Sequence, residues 1–174
     1  MDIGIFSINL KNNFATLLKS INIVKFRCIH CGLCCRLGGP RLTNFDIKIL
    51  ENIGYDSKLF LDPLEEAKKT YKGKKAMQGI LKSKLNGECI FLKRNPNSEK
   101  YFCSIYGHRP ILCRLYPFDW ELIKTENEHI IILLKLLSSC LGINVKNGEP
   151  VDALFLRKYL ADSINKLFRI TNLT

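Results

Sequence analysis

Along residues 11 to 26 the apolar side chains Phe14, Leu17, Leu18 and Ile21 recur at intervals of three and four, the spacing of one helix face. An amphipathic helix is therefore expected there. Thr43 opens a second helix. Asp46 follows three residues on, close to a capping box, in which Glu or Gln is the usual partner. Ile47, Leu50 and Ile53 form its apolar stripe, and Gly54 supplies a left-handed C-cap. Leu37-Gly38-Gly39-Pro40, between the two, reads as a loop. Residues 56 to 75 are poorly periodic and crowd Lys68, Lys69, Lys72, Lys74 and Lys75 into eight positions, which reads as a solvated helix or loop.

Further on, Asn86-Gly87 predicts a hairpin turn of type I′, which needs positive φ at both central residues; its strands would run over about 76 to 85 and 88 to 93. Asn95-Pro96-Asn97-Ser98 is a surface loop, followed by a short strand at about 101 to 104. His108-Arg109-Pro110 starts a short helix that must end near Tyr116, because Pro117 stops it. The isoleucine-rich stretch Glu128 to Leu136 predicts a strand. Val151 to Phe168 predicts a C-terminal helix, with Val151, Leu154, Phe155, Leu160, Ile164 and Leu167 facing inward. The expected class is α+β: a small irregular single domain over residues 1–174, with helices and short antiparallel strands organised around a cysteine metal site.

Composition explains why the cysteines point to chemistry. With 174 residues, 47% of them apolar and 25% charged, the chain has a globular composition. A domain of this size buries roughly 70% of its unfolded surface, so eight cysteines are not needed as staples. The N-terminal stretch lacks a basic leader segment, and the longest apolar run, Ile130 to Leu137, contains Lys135 and falls short of the about 20 residues a membrane span needs. A cytoplasmic protein away from the membrane, with reduced thiols, is expected. The formal charge is +11, from 27 basic and 16 acidic side chains. A metal centre held by four thiolates carries about −2, which would offset part of that excess. The rest is a basic surface that nucleic acid or an acidic protein partner could use.

Cys28-x2-Cys31-x2-Cys34-Cys35 is the strongest signal. Two residues between cysteines let one turn bring both sulfurs to one metal, and Gly32 permits the unusual φ such turns need. A third cysteine two residues later is the iron–sulfur habit, whereas zinc sites more often come as two separated pairs. Cys35 follows Cys34 immediately, and adjacent side chains are expected to diverge. With Cys89, Cys103, Cys113 and Cys140, the eight cysteines suffice for two tetrahedral shells, one cluster with spare thiols, or a binuclear site. Inert core thiols and disulfides are the competing readings.

The decade Phe26-Arg27-Cys28-Ile29-His30-Cys31-Gly32-Leu33-Cys34-Cys35 resembles the signature of the CxxCxxCC (YkgJ-type) cysteine-cluster family. The resemblance continues through Glu88-Cys89-Ile90-Phe91-Leu92, then Phe102 to Pro110, then Cys113-Arg114-Leu115-Tyr116-Pro117-Phe118, and Cys140-Leu141-Gly142 fits the family's late cysteine. It therefore spans about residues 26 to 142. What it implies is zinc or iron chelation; most members have no established reaction, and a branch that methylates flagellin lysines carries a similar cluster.

Around the thiols, Arg109, Arg114 and Tyr116 are candidates to hydrogen-bond and tune the sulfurs. The arginines could equally hold a phosphate or carboxylate, pair with Asp119 or Glu121, or cap the short helix. His30 and His108 are weaker ligand candidates, and His129 has no supporting context. Ser104 and Cys113 lack an assignable base, so neither reads as a nucleophile, and no G-x-G-x-x-G marks a nucleotide cradle. The sequence thus predicts a metal-binding protein that coordinates an iron–sulfur cluster, of [4Fe–4S] type, or zinc, supporting redox or protein-modification chemistry. The alternative is a structural zinc protein serving as a basic module for nucleic acid or protein.

Overall fold

His129–Leu136 shows how the chain builds its larger sheet. Ile130, Ile132 and Leu134 are fully buried while their neighbours are partly exposed, the period-2 pattern of a strand with one covered face. It pairs antiparallel with Asp2–Asn9 on one side and Phe118–Glu126 on the other, and Ala15–Ser20 adds the far edge. The computed structural model describes residues 1–98, 100–137 and 140–172. Its class is α+β, short antiparallel strands with helices.

The chain divides into two units, Met1–Ile29 with Arg114–Phe168, and His30–Cys113 with Arg169–Thr174. In the first, the C-terminal helical segment packs against the edge strand Ala15–Ser20, where Arg157 Nε donates to the Ala15 carbonyl at 2.7 Å. It starts at Ala153 with a π-helical turn over Leu156–Leu160 and buries Phe155, Leu156, Leu160, Ile164 and Leu167; its last residues, Arg169–Asn172, fall in the second unit. Phe118 stands edge-on to Phe26 and Phe155, at 5.3 and 5.7 Å between ring centroids. The expected helix thus forms, although Leu154 is 66% exposed and not inward.

The helix expected over residues 11 to 26 is instead the edge strand Ala15–Ser20. Phe14, Leu17, Leu18 and Ile21 stay substantially exposed, so their helical spacing reflects no buried stripe. Pairing with Asp2–Asn9 supplies the hydrogen bonds that decide the conformation, a tertiary influence no local period carries.

In the second unit the helix Asn44–Asn52 begins at Thr43 with a reciprocal capping box to Asp46. Ile47 and Leu50 are buried and Gly54 has φ +96°, as expected, while Ile53 is exposed at the C-cap. Arg41–Thr43, Met77–Leu81 and Leu61–Pro63 form a three-stranded sheet. The lysine-rich stretch closes a two-residue hairpin at Lys72 and Gly73, both with positive φ. At the Asn86-Gly87 turn only Gly87 is left-handed, and Gly87 N–H donates to the Lys84 carbonyl, so the turn is not type I′. Its flanks touch through one bridge, Ser83 to Cys89, because Met77–Leu81 is already paired on both edges. Leu92–Arg94 and Tyr101–Cys103 pair across the Asn95–Ser98 loop, and Ile111–Leu115 is the short helix ahead of Pro117. Leu42, Leu50, Phe60, Leu81, Cys89, Phe91 and Ile105 form the core.

Candidate metal centre

Gly32, at φ +74°, turns the chain into the 3-10 helix Leu33–Arg36, which carries Cys34 and Cys35. The Cys35 N–H donates to the Gly32 carbonyl at 3.1 Å, and the Cys35 carbonyl accepts from Cys89 N–H at 2.7 Å. The second bond joins the motif to a segment more than fifty residues on. Cys89 sits in the core, and its carbonyl accepts from Leu92 N–H, at the start of the strand that pairs with Cys103. Ser104 donates to the Phe91 carbonyl through both its N–H and its hydroxyl.

Cys34 and Cys35 do not diverge. Their sulfurs lie 3.9 Å apart. In a 3-10 helix adjacent residues are about 120° apart around the axis, and side chains of one heavy atom beyond Cβ can close that gap by rotation. Two thiolates bound at about 2.3 Å to one tetrahedral ion stand about 3.8 Å apart, so this pair has the spacing of two ligands on one metal.

Electrostatics ties the same thiols together. The hydrogen bond from Cys35 and then the Arg109 cation hold the exposed Cys34 at about 6, against the opposing effect of burial. Its partner Cys35 is pushed well up by that same bond, by burial, and by the charges of Cys34, Cys89 and Cys113. Burial first, then neighbouring thiols, raises Cys103 and Cys113, and Arg109 opposes both shifts. Burial also raises Cys89, with Lys84 opposing. Cys34, Cys35, Cys89, Cys103 and Cys113 are therefore within electrostatic reach of one another. They come from four separate stretches of chain, and all eight cysteines are free thiols. Among the described residues, no group of three or more His, Cys, Asp or Glu side chains is drawn into a coordination shell. The donor set still suits a soft or borderline metal: several thiols, two at chelating separation, beside a cation that would balance their charge.

Cys31 is half-buried in the same unit. Cys28 and Cys140 belong to the other unit, where the Arg27 N–H donates to the Gly142 carbonyl and the Gly142 N–H to Cys140 Sγ. Arg109 is half-buried, lies 4.0 Å over the Tyr106 ring and donates to the Tyr106 carbonyl. His30 stacks beside that ring at 5.6 Å, and His108 is exposed. Arg114 and Tyr116 are half-buried in the segment that leads to Phe118. Two residues the motif reading passes over also shape the cysteine turn: Tyr101, whose ring covers Gly32, and Arg36, stacked on that ring at 4.3 Å and bridged to Glu88. A basic residue beside the cluster and an aromatic two before Cys103 were the available signals.

Comparison with known proteins bears on these residues. A family model described as "Putative zinc- or iron-chelating domain", CxxCxxCC, matches residues 27–130. The chain belongs to the CxxCxxCC family. The match takes in seven of the eight cysteines and stops short of Cys140. An uncharacterized protein of Methanocaldococcus jannaschii, MJ0661, is 28% identical over 137 residues, covering 78% of this chain and 67% of that protein. No solved structure matches. Zinc or iron chelation is thus the activity attached to the CxxCxxCC family, and no helix among the described residues is long and apolar enough to cross a membrane.

Proposed function

We propose that this chain binds a single zinc or iron ion through thiolates of its His30–Cys113 unit, with Cys34 and Cys35 on the same ion. Cys113 and one of Cys89 and Cys103 supply the remaining two ligands of a tetrahedral site. The observation that carries this reading is the 3.9 Å separation of the Cys34 and Cys35 sulfurs, the spacing of two ligands on one ion. In a [4Fe–4S] cluster four cysteines serve four irons, one each, and adjacent sulfurs this close do not suit that arrangement. Bound in this way the ion adds stability to the fold, since its ligands come from segments far apart in sequence. Arg109 balances the anionic thiolates and favours their charged form.

A second reading, an iron–sulfur cluster with redox or protein-modifying chemistry, is favoured by the C-x2-C-x2-C run that includes Cys31 and Cys34. Metal content, acid-labile sulfide and the visible spectrum of protein purified without oxygen separate the two. Zinc or iron at one ion per chain without sulfide supports the first reading. Matched iron and sulfide overturns it in favour of the cluster.

A further inference from the structure

The helix Ile111–Leu115, which carries Cys113, is only five residues long and too short to hold its own place. What anchors its first turn is a carboxylate from far away in the sequence. Asp46 is 2% exposed, and its Oδ1 accepts the backbone N–H of Ile111 at 2.8 Å across 65 residues. Oδ2 of the same carboxylate accepts the Thr43 N–H at 2.9 Å and the Thr43 hydroxyl at 2.7 Å. The Asp46 N–H in turn donates to the Thr43 hydroxyl oxygen at 3.2 Å. One buried side chain thus caps the helix Asn44–Asn52 with one oxygen and anchors the Cys113 helix with the other.

A capping box alone does not explain this choice of residue. Glu or Gln is its usual third-position partner, and either would reach back to the cap N–H. Asp is shorter, holds its carboxylate close to its own backbone, and leaves the second oxygen facing Ile111. Ile111 is 1% exposed, so its N–H has no access to water if Asp46 is removed. Asn would keep one acceptor oxygen and put an NH2 donor against one of the two N–H groups, so it can serve only one of the two elements.

We propose that Asp46 is a positioning residue for the metal site, fixing Cys113 among the other thiols through Ile111. This rests on the proposed role of Cys113 as a ligand. The test compares Asp46→Asn and Asp46→Ala with Thr43→Ala, which removes the capping hydroxyl but leaves the bond to Ile111. In metal-free protein, alkylation of each cysteine by iodoacetamide is followed by peptide mapping. Asp46→Ala, which leaves the Ile111 N–H without its acceptor, should alkylate at Cys113 faster by about 5- to 10-fold, the factor by which one lost buried hydrogen bond shifts a local opening, and Asp46→Asn by no more than that. Thr43→Ala should leave that rate at the wild-type value while lowering the melting temperature as the Asp46 variants do. On loading with cobalt(II), Asp46→Ala should bind the ion more weakly than wild type by about the same 5- to 10-fold, while Cys113→Ser should lose thiolate-to-cobalt charge-transfer absorption. The double variant Asp46→Ala/Cys113→Ser should bind no more weakly than Cys113→Ser.

Unchanged Cys113 alkylation in Asp46→Ala, or an equal rise in Thr43→Ala, would overturn the positioning role and leave the metal reading intact. Faster alkylation in Asp46→Ala with full cobalt–thiolate absorption in Cys113→Ser would show that Cys113 is held in place but is not a ligand, which also overturns the proposal. Wild-type protein without any thiolate-to-cobalt absorption would remove the metal reading itself, and the proposal with it.

Discussion

Gly32 and Tyr101 are packed against each other: a Cβ on Gly32 would stand 3.1 Å from Tyr101 Cγ and 3.2 Å from its Cβ. Gly32 also holds φ +74°, a conformation that costs other residues about 1–2 kcal/mol. Close packing and positive φ coincide at the turn that leads into Cys34 and Cys35. Gly32→Ala should therefore lower stability by more than the backbone strain alone. Gly38→Ala is the control, since Gly38 has φ +88° with nothing within 4 Å of its added Cβ. Urea unfolding should show a loss of about 1–2 kcal/mol for Gly38→Ala and a larger one for Gly32→Ala. Equal losses would mean that the Tyr101 ring yields without cost.

Cys34 should be the reactive thiol of the metal-free protein, because Cys35 and then Arg109 hold it at about 6. Cys35→Ala should move its titration upward, and Arg109→Met should do so by a smaller amount. The pH dependence of thiolate ultraviolet absorbance, with alkylation mapped to Cys34, reads both shifts. A larger effect from Arg109→Met would make the cation, and not the Cys35 hydrogen bond, the main cause of the low value.

Cys35, Cys89, Cys103 and Cys113 are all held above the ordinary thiol range, so at neutral pH they are protonated without metal. A metal that takes them as thiolates must displace those protons, so its affinity should climb steadily from about pH 6 to about pH 8. Competition with a chromophoric chelator measures this, and a flat profile would argue against these thiols as ligands. Without metal the sign reverses. Raised thiols mean that the folded state keeps protons the unfolded chain loses, so the contribution of these four to stability is full below about pH 8.5 and declines as pH rises toward the shifted values, whereas the lowered Cys34 adds stability as pH rises above about 6.

In the other unit, Phe118 is 3% exposed between the Phe26 and Phe155 rings, so Phe118→Ala should destabilise by about 3–5 kcal/mol. Phe14 is 49% exposed and rests under the Arg157 guanidinium, 3.7 Å from its ring centroid. Phe14→Ala should cost about 1 kcal/mol or less. Calorimetric melting of the two variants checks the contrast, and similar melting temperatures would refute it.

Features made by near neighbours were legible in the sequence. Thr43 and Asp46 announce a capping box because both of its hydrogen bonds close within one helical turn. Pro117 announces the end of the Cys113 helix, and the alternation from Ile130 to Leu134 announces a strand. The spacing of the cysteines pointed to metal chemistry, and the CxxCxxCC family match agrees. The tertiary structure decided what depends on distant partners. Residues 15 to 20 became a strand because Asp2–Asn9 offers them a ladder, although their own spacing suggests a helix. Cys89 lies beside Cys35 because its N–H bonds the Cys35 carbonyl, and the Cys113 helix is anchored by Asp46 through Ile111; both bonds cross more than fifty residues. Local spacing reports conformations stabilised within a few residues of chain, whereas the thiol cluster depends on packing and buried hydrogen bonds that exist only once the unit has folded.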